Sequence, residues 1–249
     1  MSQLQLIRVP TPDPAFGTAV SHALLSRVSA GESAATFRLH VAQPVLSFGK
    51  QDALMPGFRT AVAAAKDAGF APVLRLAGGR AAVFHEGTLA LAHATPETVP
   101  REGTRGRFES TASLLAEAFA RMGVDARVGE VPGEYCPGTW SVNARGVVKL
   151  AGIGQRLIAG AAHVGGVIVA SDAARLRDVL VPVYEALELE WNPATAGSVE
   201  DEVPGATAES VADAIVEVLG ERYDLIDSEL DEETLALAHR LKPEHAIEV

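Results

Sequence analysis

The only cysteine of this chain, Cys136, stands in Tyr135-Cys136-Pro137-Gly138. A lysine, Lys149, follows 13 positions later between Val148 and Leu150. A cysteine accepts an acyl group only as its thiolate, so it needs a nearby cation or helix terminus to do so. A hairpin between the two segments would return Lys149 to the cysteine. There an ammonium can stabilise the thiolate, hold an acyl carbonyl or shuttle a proton. The plainer alternatives are a small buried hydrophobe for the cysteine and a solvated tip for the lysine. Against them, Tyr-Cys-Pro-Gly reads as a turn rather than a buried strand, and a charge between Val148 and Leu150 needs a reason.

A second segment, 73–87, carries the adjacent pair Gly78-Gly79 flanked by Arg75 and Arg80. Two glycines between strands let the backbone approach a ligand closely, and their N–H groups can face an anion or a carbonyl oxygen. The alternative is an ordinary tight turn. No Gly-Lys-Ser/Thr follows, so this is not a P-loop. A third glycine and a following helix are absent, so it is not the dinucleotide fingerprint. His85, His93 and His163 lie in or beside these segments without metal-ligand spacing, and read as polar residues at strand ends; His163 could sit near the site. Glu200-Asp201-Glu202 reads as a solvated loop.

The elements that must position these residues are short and intermixed. Pro12-Asp13-Pro14 reads as a turn into a helix over 15–28. The residues 37–47 read as one strand and 58–68 as a helix. A short strand over 73–75 follows, and 81–84 with 88–94 form a strand pair around Glu86-Gly87. A helix over 108–122 precedes strands at 126–128, 140–143, 147–155 and 163–170, and a helix runs over 172–180. The remaining residues read as mostly helical, with helices over 211–219 and 232–241 and a polar loop over 195–202. This order favours an α/β (α+β) domain with mixed or antiparallel sheets flanked by helices. One domain over 1–249 is expected, with a core at about 15–180 and a helical completion over 181–249.

The bulk composition bounds the function. The chain has 249 residues, 48% of them hydrophobic, which is enough to bury a core. Its formal net charge of −11 disfavours binding to nucleic acid or to an anionic membrane. One cysteine excludes an intramolecular disulfide and fits a reducing compartment. No signal peptide or membrane-length apolar run is apparent, so a cytoplasmic location is expected.

Taken together, Arg75, Gly78-Gly79, Ala82-Val83-Phe84-His85, Lys149-Leu150-Ala151-Gly152 and Gly165-Gly166-Val167-Ile168 resemble the lipoate/biotin protein ligase superfamily over about residues 15–180. Tyr-Cys-Pro-Gly followed by Lys-x-Ala-Gly-Ile-x-Gln-Arg is most similar to its cysteine-dependent octanoyl amidotransferase branch. That resemblance implies transfer of an octanoyl or lipoyl group through a thioester. The donor would be the glycine cleavage H protein and the acceptors the lipoyl domains of 2-oxoacid dehydrogenases, with no cofactor. It puts the nucleophile on Cys136 and the family's lysine on Lys149, and substrate-binding roles on Arg75, Gly78, Gly79, Arg80, Ala82, His85, Gly152 and His163. Arg80 stands where the ligases usually continue with glycine, whereas His85 is ligase-like.

Two other readings compete. In an ATP- and Mg-dependent lipoate ligase, Lys149 would hold an acyl-adenylate and Cys136 would be incidental. A non-catalytic acyl-binding module would keep the fold and bind without turnover. In the transfer and ligase readings, Val73, Leu74, Val83, Phe84, Leu89 and Leu91 are expected to line an apolar tunnel for the acyl chain.

Overall fold

The fold is described from a computed structural model covering residues 1–11 and 13–248. Pro12, in the turn expected before the first helix, lies outside the described residues, as does Val249. The strands are β1 (Gln3–Ile7), β2 (Thr36–Val41), β3 (Val45–Phe48), β4 (Ala71–Leu74), β5 (Ala82–Phe84), β6 (Thr88–Pro96), β7 (Ala126–Val128), β8 (Val142–Ala144), β9 (Val148–Ile158), β10 (Ala161–Val169) and β11 (Asp224–Asp227). The helices are α1 (Pro14–Ala30), α2 (Phe58–Asp67), α3 (Thr104–Arg121), α4 (Ala173–Ala186), α5 (Val199–Glu202), α6 (Ala208–Arg222) and α7 (Glu232–Leu241).

Two sheets face each other. The large one runs in the order β11-β1-β2-β6-β10-β9-β8-β7, and the small one runs β4-β3-β5. The outer face of the large sheet packs on α3 and α6 through Phe37, Leu39, Leu115, Phe119, Ile215 and Leu219. The outer face of the small sheet packs on α2 and α4 through Leu46, Val83, Val62, Leu176 and Leu180. α1 contacts β6 and β10 of one sheet and β4 of the other. Among the described residues, no helix is long and apolar enough to cross a membrane.

Four expectations are corrected. The strand expected over 37–47 is two strands in different sheets, because the chain leaves β2 at Ala42 and crosses through Gln43-Pro44 into β3. The pair expected around Glu86-Gly87 does not form: β5 pairs with β3, while β6 lies between β2 and β10. The C-terminal part is not only helical, since β11 joins β1 in parallel at the edge of the large sheet, and β1 itself precedes the expected core. Neither of these four- to five-residue strands has a long alternating pattern to announce it. Finally, 195–202 is structured: Ser198 caps α5 in a reciprocal capping box with Asp201.

The inner face of the large sheet is cut low. Facing partners across antiparallel strands project to the same side. The register therefore makes three rows: Thr36, Ala94, His163 and Arg156; Arg38, Ala92, Gly165 and Gly154; and His40, Ala90, Val167 and Gly152. Ala94, Ala92 and Ala90 of β6, with Gly165, Gly154 and Gly152, keep these rows low, leaving a trough between the sheets. Two of the polar groups there are histidines whose burial holds them neutral: the pKa of His40 and of His163 falls to about 3; burial likewise lowers that of His93, on the outer face of β6 beside Phe37, to about 4. For His163, desolvation is the main cause, and His93, His22 and Arg75 add to it electrostatically. The unfolded chain binds these protons near pH 6.5 and the fold does not, so stability is complete above pH 6.5 and falls as pH drops toward 4. His163, 3% exposed, accounts for about 2 kcal/mol of that loss by pH 5. Urea unfolding at pH 7.5 and pH 5 should show His163→Gln with a smaller pH dependence than the parent, by roughly one proton; equal pH dependence would contradict this assignment.

Candidate active site

The segment between β7 and β8 holds Cys136. Its backbone is left-handed, with φ of 43°, a conformation that a non-glycine residue keeps only when its surroundings impose it. Both peptide groups of the cysteine are clamped. Its N–H donates to the Tyr184 hydroxyl at 2.9 Å, and that hydroxyl donates in turn to the Ala81 carbonyl at 3.0 Å. Burial pushes the Tyr184 phenol well above its usual pKa, so it stays a neutral donor. The Cys136 carbonyl accepts from Lys149 Nζ at 2.8 Å.

Lys149 reaches this position through an irregularity in the sheet. The β8–β9 register shifts between Val142 and Asn143, which face Ala151 and Lys149 respectively, so Leu150 is the extra residue. Leu150 and Ala151 consequently enter the same apolar core, and Lys149 turns inward. Lys149 is 1% exposed, and its ammonium ion-pairs with Glu134 Oε1 at 3.0 Å, donates to the Tyr135 carbonyl at 2.9 Å and lies 4.7 Å from the Tyr135 ring centre. Glu134 organises the whole loop: it also accepts from Val131 N, Gly138 N and the Ser141 hydroxyl, at 3.1, 3.0 and 2.6 Å.

The glycine loop approaches the sulfur from the other side. Arg80 N–H donates to Cys136 Sγ at 3.1 Å, and Arg75 Nη1 lies 4.0 Å from it while donating to the Arg80 carbonyl at 2.9 Å. A Cβ on Gly79, whose φ is 121°, would meet Sγ at 3.0 Å, so only glycine permits this approach. Gly78 rests on β9, where a Cβ on Gly154 would meet the Gly78 carbonyl at 2.5 Å. The Arg80 side chain turns back to the fully buried Asp52, 3.2 Å away. A backbone N–H and a guanidinium facing a thiol are the donors that a sulfur anion or an acyl oxyanion needs.

The trough runs from Arg75, beside the thiol, to α1. It is lined by Arg75 and Ala77 at the thiol end, by Ala90, Ala92, Gly165 and Val167 from the large sheet, and by Val45, Ser47, Ala82 and Phe84 from the small one. Arg38 closes the far end; its guanidinium is held by the Gly17 and Val9 carbonyls and Thr11, and burial lowers its pKa to about 10.

Of the residues singled out in the sequence, Cys136, Lys149, Arg75, Gly78, Gly79 and Arg80 converge around the thiol, and Ala82 and His163 line the trough. Gly152 packs under the Lys149 side chain, where a Cβ would lie 3.0 Å from Cε. His85 does not join them: its Nδ1 accepts from Gly87 N at 3.0 Å and shapes the turn before β6. Of the expected tunnel residues, Phe84 and Leu91 line the trough. Val83 and Leu89 lie within the two outer cores, because alternate residues of a strand face opposite ways; Leu74 packs against the core of the small sheet, and Val73 does not line the trough. Sequence reasoning missed Glu134, Tyr184, Asp52 and Arg38. Only Glu134 carries a local signal, an acid beside the cysteine turn.

The sequence profile of the lipoyl protein ligase A/B catalytic domain matches residues 13–220. The octanoyl-[GcvH]:protein N-octanoyltransferase of Geobacillus kaustophilus is 32% identical over 151 residues, covering 61% of this chain and 53% of that protein. The lipoyl-[GcvH]:protein N-lipoyltransferase of Listeria monocytogenes is 29% identical over 153 residues, covering 60% and 55%. The chain therefore spans about half the length of these curated relatives. In three dimensions it is similar to a lipoate-protein ligase A crystallised with ATP, with a TM-score of 0.76 over 98% of this chain and 95% of that one at 16% identity, a likeness of fold. The profile match spans most of the chain, from the start of α1 into α6, and the chain belongs to the lipoyl protein ligase A/B catalytic-domain family.

Proposed function

We propose that this protein is a cytoplasmic acyltransferase, acting as one catalytic unit over 1–249, that moves an octanoyl or lipoyl group to the lysine of a lipoyl carrier domain through a thioester on Cys136. The observation that carries the reading is a half-buried thiol held in left-handed backbone, facing the Arg80 N–H and the guanidinium of Arg75, which itself lines one end of an apolar trough. The names of the aligned relatives support the glycine cleavage H protein as one carrier; the lipoyl domains of 2-oxoacid dehydrogenases are the proposed acceptors.

The trough suits an eight-carbon chain. The open row from Arg38 to Gly165 crosses two strand spacings, about 10 Å. An extended octanoyl group, with seven carbon–carbon bonds of about 1.5 Å in zigzag, reaches roughly 9 Å. The side chains of Ala92 and Gly165 are small enough to let it lie flat along that row.

In this reading no nucleotide takes part, whereas the ligase alternative requires ATP and Mg. Incubation with octanoyl-H protein without ATP should add one octanoyl group to the intact mass, removable by hydroxylamine. Cys136→Ala should lack the adduct and lose transfer by on the order of 10³-fold or more. Full transfer by Cys136→Ala, or modification of a lipoyl domain only with lipoate and ATP, would overturn the reading. Shortening the donor should cost about 0.8 kcal/mol per methylene, roughly fourfold in kcat/KM per carbon. Ala92→Leu, which fills the middle of the trough, should lower octanoyl transfer much more than butanoyl transfer; equal losses on both donors would remove the chain from this trough.

A further inference from the structure

The ligase-type reading of the family's lysine gives Lys149 the acyl carbonyl, yet its donors are already engaged. An ammonium has three N–H donors. Those of Lys149 meet Glu134 Oε1 at 3.0 Å, the Tyr135 carbonyl at 2.9 Å and the Cys136 carbonyl at 2.8 Å. A substrate carbonyl could bind Nζ only by displacing one of them, leaving a buried carboxylate or peptide oxygen unpaired. All three acceptors belong to the loop that carries the thiol, and Glu134 holds the rest of that loop through Val131, Gly138 and Ser141.

On the other face of the sulfur, donors are free. Arg75 engages the Arg80 carbonyl and the sulfur through Nη1 alone; its Nε and Nη2 have no hydrogen-bond partner among the described residues. Nη2 hangs over the thiol end of the trough, 3.3 Å from where a Cβ on Gly154 would be. The Arg80 N–H now bonds the thiol sulfur. Acylation turns that sulfur into a poor acceptor and releases the N–H for the neighbouring oxygen.

We propose that the oxyanion formed at Cys136 is held by the Arg75 guanidinium and the Arg80 amide, and that Lys149 with Glu134 positions the cysteine instead of touching the substrate. This rests on the thioester reading above. The sulfur attacks the donor carbonyl carbon, the carbon–sulfur bond forms, and the carbonyl π pair moves onto the oxygen facing Arg75. Collapse expels the donor lysine's amine, which leaves with the proton that the thiol gave up. The acceptor lysine then reverses these steps, and its amine proton returns to the sulfur.

Two rates on the full chain separate the roles. Acylation of Cys136 by p-nitrophenyl octanoate passes through an oxyanion, whereas alkylation by iodoacetamide does not. Both are corrected with Cys136→Ala as blank. Arg75→Gln should slow acylation roughly 10²- to 10³-fold, with alkylation changed less than about tenfold. The paired variant Glu134→Gln with Lys149→Met, which keeps the interior neutral, should slow both reactions by the same factor. Arg75 is half-exposed on a loop, so its variant carries the test should the paired one not fold. Equal losses of both rates in Arg75→Gln, or loss of acylation alone in the paired variant, would overturn the assignment. A wild-type protein that forms no octanoyl adduct would overturn the transfer reading itself, and this proposal with it.

Discussion

The rest of the site depends on the buried ion pair between Glu134 and Lys149. Burying two charges is expensive, and such a pair contributes little net stability unless every remaining donor and acceptor is matched. Here they are matched. The carboxylate takes four donors and the ammonium three acceptors, all within one short loop and the strand beneath it. The consequence is geometric: a cysteine in a disfavoured backbone region is held from both its N–H and its carbonyl, with its thiol turned toward the glycine loop.

The second constraint is the register of the large sheet. It is shared among four strands distant in sequence, and it lines up alanines and glycines across the inner face. The small sheet then covers this face at a distance that leaves an apolar space, because Ala82 and Ser47 are also small where they face it. The reactive group and the space for a chain thus come from different parts of the fold, and the Arg75 to Arg80 loop joins them.

Much of the site was legible because it is local. The cysteine turn, the lysine strand and the glycine pair each occupy a few consecutive residues, and their types state a chemistry. The central strands β6, β9 and β10 and the helices α1 to α3 were legible from apolar periodicity. What was not legible depends on long-range pairing. Nothing near β2 shows that the chain changes sheets after Val41, and nothing near β5 shows that its partner is β3 and not β6. β11 is four residues long with an exposed pattern, so only its pairing with β1 makes it a strand. Tyr184 and Asp52 were invisible for the same reason: each meets the site across 48 and 28 residues of sequence, respectively. His85 carried a family-like motif, yet its hydrogen bonds are those of a turn.

The most direct test of this account is a crystal structure of the protein carrying an octanoyl group on Cys136. The account predicts the alkyl chain lying along Ala92 and Gly165 toward Arg38, with the thioester oxygen within hydrogen-bond reach of Arg75 and the Arg80 amide. An oxygen bound to Lys149 Nζ, with the Glu134 pair broken, or a chain lying outside the space between the two sheets, would contradict it.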